Sequence, residues 1–180
     1  ITFYNNILRG LFMKKVSYNQ YFNEATESLS DNGAFLTVKS DNKLNTMTIG
    51  WATIGYIWGK KIMIVAVRKS RYTYQLIKES NEFTVSIPFN NKMKEELKFC
   101  GTKSGREYDK FKECNLKKQP SEMVNTPLIK GCDLHYECII KYNQLMNIEN
   151  LAESISKSYY QNDDYHTFYF GEIVNCYREE

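Results

Sequence analysis

The spacing of apolar and polar positions changes several times along the chain, and each change marks a new element. Between residues 17 and 30, "SYNQYFNEATESLS" carries Tyr18, Tyr21, Phe22, Ala25 and Leu29 near helical spacing and ends at the turn signal "SDNG". A short amphipathic helix is predicted there. "AFLTVKS" (34–40) then reads as a strand, "DNK" as a tight turn, and the following segment as a second strand reaching about Trp58. "GKK" turns the chain into "IMIVAV" (62–67), so three sequential antiparallel strands are expected. The period becomes helical again in "SRYTYQLIKES" (70–80), with Tyr74, Ile77 and the flanking Leu76 as the inward set. "EFTVSIP" (82–88) is a strand stopped by Pro88, and "NKMKEELKFCG" (91–101) is a helix closed by Gly101. Beyond the loop "TKSGREYDKF", two long strands at 133–145 and 165–177 flank a helical "NIENLAESISKSYY". Strands outnumber helices and show no βαβ rhythm, which predicts a mainly β fold, an antiparallel β-barrel with peripheral α-helices.

Within the second strand, "NTMTIGWAT" (45–53) puts Met47, Ile49 and Trp51 on one parity and Thr46, Thr48, Gly50 and Ala52 on the other. Side chains alternate faces along a strand, so one face belongs to the core and the other offers little beyond hydroxyls and backbone amides. Such a bare face is an expected place for a ligand to lie.

Composition narrows the class. With 180 residues, 21.2 kDa and 42% hydrophobic residues, the chain suits one globular domain. Because "MKKVSYNQYF" from Met13 reads like an ordinary start, residues 1–12 are expected to be an extension and 13–180 the domain. The net charge of +3 is spread over 24 basic and 21 acidic residues without a basic block, which argues against a nucleic-acid partner and leaves a small anion compatible. Five cysteines form an odd set with no CxxC pair, and Cys132 and Cys138 share a parity that suits packing, so reduced thiols in a cytoplasmic protein are expected. Neither a membrane span nor a signal peptide is apparent, and His135 and His166 are too isolated to suggest a metal.

Two further stretches carry candidate chemistry. In "VRKSRYTYQLI" (67–77) a strand hands over to a helix, with Ser70 as a candidate N-cap and the first-turn N–H groups, Arg71 and Thr73 available to an anion. The same residues equally describe a solvated basic turn before a capped helix. In "CGTKSGRE" (100–107), Gly101 and Gly105 permit close approach of the backbone, while Lys103, Ser104 and Arg106 supply donors. This loop matches neither common nucleotide-phosphate motif, and an ordinary surface loop has the same composition. His166 could face a ligand or serve structure. No Ser/His/Asp or Cys/His nucleophilic set is indicated, and Asp163 and Asp164 look like part of a solvated loop.

In order, "NTMTIGWAT", "VRKSRYTYQLI", "FTVSIP", "CGTKSGREYDKF" and "HTFYFGEIV" resemble the flavin reductase-like family of FMN-binding split barrels, especially its flavoredoxin branch. The resemblance covers about residues 17–177; Lys69 departs from it, standing where a proline is common. It implies a Greek-key split β-barrel and FMN as cofactor. Asn45, Thr46, Met47, Thr48, Trp51 and Ala52 would surround the isoalloxazine and ribityl chain. Arg68, Arg71, Tyr72 and Thr73 would hold the phosphate, Lys103, Ser104, Gly105 and Arg106 would close over it, and His166 would sit near the ring. It further implies an oxidoreductase in which flavin carries the electrons, taken from NADH or NADPH or from a redox protein, and a homodimer that encloses the site. A non-enzymatic flavin-binding sensor or interaction module is the alternative.

Overall fold

The computed structural model describes residues 13–179; the expected extension over 1–12 lies outside the described residues. Helix α1 (Phe22–Asp31) buries Ala25 and Leu29, one turn apart, and leaves Phe22 exposed. Strands β2 (Ala34–Ser40) and β3 (Lys43–Ile49) form an antiparallel hairpin around the "DN" turn, with Leu36 opposite Met47 and Phe35 opposite Thr48. The expected long strand to Trp58 is two strands. β3 ends at Ile49, Gly50 and Trp51 break the ladder, and β4 (Ala52–Ile57) pairs with β5 (Lys60–Arg68) instead of returning to β2. Four strands therefore replace the three anticipated.

A short β1 (Met13–Lys15), β6 (Glu82–Ile87), β9 (Leu134–Leu145) and β10 (His166–Glu179) complete the main sheet, whose order is β3-β2-β6-β9-β10-β5-β4, with β1 alongside the far end of β10. β3 and β4 are consecutive in sequence yet lie at opposite edges of this sheet. The sheet thus curls until its two edges approach but do not pair, an antiparallel barrel split along one seam. At the seam the chain crosses through Gly50–Trp51, and the Ala66 amide donates to the Trp51 carbonyl at 3.1 Å.

The barrel interior is filled from alternate positions: Leu36 and Val38, Met47 and Ile49, Val65 and Val67, Val85 and Tyr136 all belong to one core. Opposite parity faces a second, smaller core. Phe35 points outward from β2 into a cluster with Leu97 and Cys100 of α3 (Lys94–Thr102), Phe111 of α4 (Lys110–Glu113), and Ile129 of the minor hairpin β7–β8 (Lys118–Gln119, Leu128–Ile129). Gly101, expected to end α3, lies inside it, and Lys103 is the capping residue. Helix α2 (Tyr72–Glu79) follows β5 and buries Thr73, Leu76 and Ile77, while Tyr74 is only half-buried. Between β9 and β10, the predicted helical segment is a 3-10 turn (Ile148–Asn150) followed by α5 (Glu153–Tyr159).

All five cysteines are free thiols, with Cys138 in the barrel core and Cys132 in the outer one. Among the described residues no helix is long and apolar enough to cross a membrane, and no His/Cys/Asp/Glu group could hold a metal ion.

Candidate functional site

The small-residue parity of β3 is not bare. Thr46 is fully buried, bonded to Thr37 Oγ1 at 3.1 Å and to the Leu36 carbonyl at 3.2 Å. Thr48 donates to the Leu97 carbonyl of α3 at 2.5 Å, and a Cβ on Gly101 would stand 3.2 Å from Thr48 Cβ. The small residues let a helix pack closely on the strand; what lies on that face is α3. What remains open is the edge of β3 at the barrel seam, since β2 pairs with its other side. The open space beside this strand lies along that edge, at the seam.

Two cavities line this seam and share Met47 and Arg71. The first, about 140 Å³, lies between β3, the start of α2 and the loop after α3. Asn45, Tyr72 and Thr73 form one side, and Lys103, Ser104, Gly105 and Arg106 the other, with Ser70, Cys100, Thr102 and Lys110 completing it. Four of its lining residues are cationic and none is acidic. The N-cap of α2 is Arg71, not Ser70, and no side chain caps its first turn, although the Tyr74 amide donates to the Arg71 carbonyl at 3.0 Å. Asn45 Nδ2 donates to Thr73 Oγ1 at 2.8 Å, joining β3 to α2. Arg71 reaches the Gly101 carbonyl at 3.0 Å, and Arg106 reaches the Ser70 carbonyl at 3.2 Å while stacking over the Tyr72 ring at 5.5 Å. Each guanidinium has N–H groups beyond that one bond. Gly105 is required by contact: a Cβ there would lie 2.1 Å from Asn45 Oδ1 and 2.7 Å from the Tyr72 ring.

The second cavity, about 170 Å³, runs along Met47, Thr48, Gly50, Trp51, Ala66, Arg68 and His166. Trp51 is 43% exposed and lies 4.9 Å, centroid to centroid, from the buried His166 ring. Burial, with the Arg68 charge second, lowers the His166 pKa to about 4. The ring is neutral near neutral pH. Its Nδ1 stands 2.8 Å from the Tyr160 hydroxyl; in the tautomer where that hydroxyl donates, Nε2–H is the ring's free donor. Arg68 does not reach the first cavity. It donates to the Asp164 and Tyr159 carbonyls at 2.7 and 3.0 Å and stacks on Tyr160, so it fastens the segment before β10.

Of the residues anticipated from sequence, Thr46 and Ala52 line neither cavity; the others line one or both. Three contributors were not anticipated. Asp164, read as solvated, accepts from the Ser70 hydroxyl at 2.6 Å and the Ser70 amide at 3.1 Å, holding the turn that aims Arg71. Tyr160 positions His166, and Lys110 closes the cationic cavity from below. Only for Lys110 did the sequence hold a signal: Asp109 caps α4 through the Phe111 and Lys112 amides, and the adjacent Phe111 must face a core.

Residues 28–180 match the family model described as flavin reductase like domain. The chain belongs to this family. Flavoredoxin from Methanosarcina acetivorans has a similar structure, with a TM-score of 0.63 and 26% identity over 82% of this chain and 68% of that one. An FMN-binding domain of a flavin reductases-like enzyme from Shewanella baltica shares the fold at TM-score 0.66 and 16% identity, covering 94% and 78% of the two chains. An uncharacterized protein of Archaeoglobus fulgidus is 36% identical over 104 residues, a match that spans 58% of each chain. The mainly antiparallel, unclosed barrel described above is the fold these flavin reductase-like proteins share.

Proposed function

We propose that this member of the flavin reductase-like family is an FMN-dependent oxidoreductase, with NADH, NADPH or a redox protein as electron donor. The observation that carries the reading is the pair of cavities joined at Met47 and Arg71: one is cationic and acid-free, the other is bordered by Trp51 and a neutral imidazole. A phosphate suits the first, where Arg71, Thr73, Ser104 and Arg106 bring guanidinium, hydroxyl and amide donors together. A planar polar ring suits the second, along the open edge of β3. Bound flavin would supply the redox chemistry by accepting a hydride or electrons at its ring. The chain holds and orients it: Met47 separates the two compartments, His166 offers a neutral donor, and the turn clamped by Asp164 sets Arg71.

Trp51 and the neighbouring Tyr159 are exposed beside the ring cavity, and a second copy of the chain would cover them, giving a homodimer. Five unpaired cysteines suit a cytoplasmic setting.

Anaerobic titration of the FMN-reconstituted protein with each nicotinamide tests the activity. Bleaching of flavin absorbance by NADH or NADPH is expected; flavin that only a reduced protein bleaches would make it a carrier, and no flavin uptake would overturn the reading. The phosphate assignment has its own test. Arg71→Ala should weaken FMN by roughly 1.5 to 3 kcal/mol, about ten- to a hundredfold, and leave riboflavin unchanged in fluorescence-quenching titrations. Equal losses for both flavins would remove Arg71 from the phosphate.

A further inference from the structure

Lys110 is the one cation of the phosphate cavity that is withdrawn from solvent. It is 4% exposed, at the first position of α4, and its Nζ donates to the Cys100 carbonyl at 2.7 Å. That is one acceptor for three donors, and among the described residues it forms no salt bridge. A buried ammonium without a counter-charge is costly and normally pairs or loses its proton. The nearest carboxylate in sequence, Asp109, is occupied with the α4 amides. The titratable and charged groups that face Lys110 are the Cys100 thiol of α3, the Cys114 thiol at the end of α4, and Arg71 at the start of α2. Lys103, Arg106 and Tyr72 share the phosphate cavity with it, and Lys43, Lys118, Glu107, Tyr108 and Asp109 line a neighbouring cavity that it also borders. Both thiols are held protonated by burial, and neither Glu107 nor Asp109 forms an ion pair with the amine, so no negative charge among the described residues is paired with it. Burial and then Arg71 push the Lys110 ammonium below the ordinary lysine value.

We propose that Lys110 is the buried counter-charge of the phosphate seat, and that seating a flavin phosphate brings a proton onto its amine. This rests on the flavin reading above and adds to it a residue and a linked proton. In the free protein the amine titrates below the ordinary lysine value, because it is buried and faces the Arg71 charge. A phosphate dianion in the same cavity favours the ammonium and raises its pKa. Between those two values the unliganded amine is partly neutral and the liganded one charged, so binding takes up a proton. FMN affinity therefore falls as pH rises through the free amine's titration, below the ordinary lysine range. Riboflavin has the same ring without the phosphate, and it reports any titration that arises elsewhere.

The test is fluorescence-quenching titration of FMN and riboflavin into wild type, Lys110→Met and Lys110→Arg from about pH 7 to about pH 10. It is joined by calorimetry of FMN binding to wild type in two buffers of different ionisation enthalpy, which counts protons. At the lower pH, Lys110→Met should lose about ten- to a hundredfold in FMN affinity with riboflavin unchanged. Lys110→Arg should keep most of the affinity and lose the alkaline fall, because arginine does not titrate in this range. Wild type should take up a proton at the upper pH with FMN and not with riboflavin. FMN affinity and pH profile in Lys110→Met that match wild type would overturn the proposal. So would an absence of proton uptake in wild type, which decides the matter even if Lys110→Met fails to fold. Failure of the flavin reading is recognisable separately, since neither FMN nor riboflavin would then be quenched by any of the three proteins.

Discussion

At the scale of single residues, the seam is governed by which polar groups already have partners. Thr48 spends its hydroxyl on the Leu97 carbonyl, and its Cβ touches Gly101, so its first role is to dock α3 on β3. Thr48→Val keeps the shape and deletes the bond; the expected result is about 1 kcal/mol of lost stability in denaturant unfolding. Unchanged stability with weakened FMN would return Thr48 to the ligand. His166 behaves differently. Its folded pKa is depressed to about 4 from 6.5, so the unfolded chain binds the extra proton between those values. Stability from the neutral ring is present above about pH 6.5 and is lost as pH falls toward 4. The loss should be on the order of 1 kcal/mol, less than the full shift because the ring borders an open cavity. His166→Asn should flatten that part of the pH–stability profile, and an unchanged acid slope would show that another group sets it.

At the scale of elements, the turn between β5 and α2 is held from outside by the chain leading into β10. Asp164 takes both the hydroxyl and the amide of Ser70, and Arg68 takes two carbonyls of the same incoming segment. The turn and the segment therefore move together. Asp164→Ala should loosen the turn without touching the core. FMN affinity is expected to fall several-fold, and amide hydrogen exchange should quicken at 69–71 and 159–165 while β6 and β9 stay protected. Quickened exchange across the whole sheet would mean that Asp164 supports the fold itself. Elements with strong local periodicity were legible without the structure: β2, β5, β6, α2 and the two long C-terminal strands all lie close to where their patterns place them. The break at Gly50–Trp51 was not, because alternation continues through it and only the loss of a pairing partner ends β3.

At the scale of the whole molecule, a barrel split at one seam leaves its site half-walled. Trp51 and Tyr159 meet edge to face at 5.1 Å on the rim and remain exposed. A second subunit placed over this rim would bury both and shut water away from a bound ring. Light scattering of the FMN-saturated protein should give twice the chain mass of 21.2 kDa, and Trp51→Glu should shift it toward one. A monomer with FMN fully bound would show that one chain suffices to hold the flavin.

The sequence by itself determined the alternation that fills the barrel and the helix that follows "RKS". It also determined the donor-rich composition of two loops. These are properties of neighbouring residues, set by side-chain direction, backbone sterics and hydrogen-bonding capacity. Only the tertiary structure decided that the threonine face of β3 belongs to α3 and that the open feature is the strand's edge. It alone placed Asp164 on Ser70, 94 residues away, and Lys110 in the same cavity as Arg71. Charge and burial at such points depend on which distant segments share a volume, and no local period encodes that. An aspartate read as solvated became a clamp, and a lysine within a polar loop became a buried cation, because folding removed the water that either reading assumed.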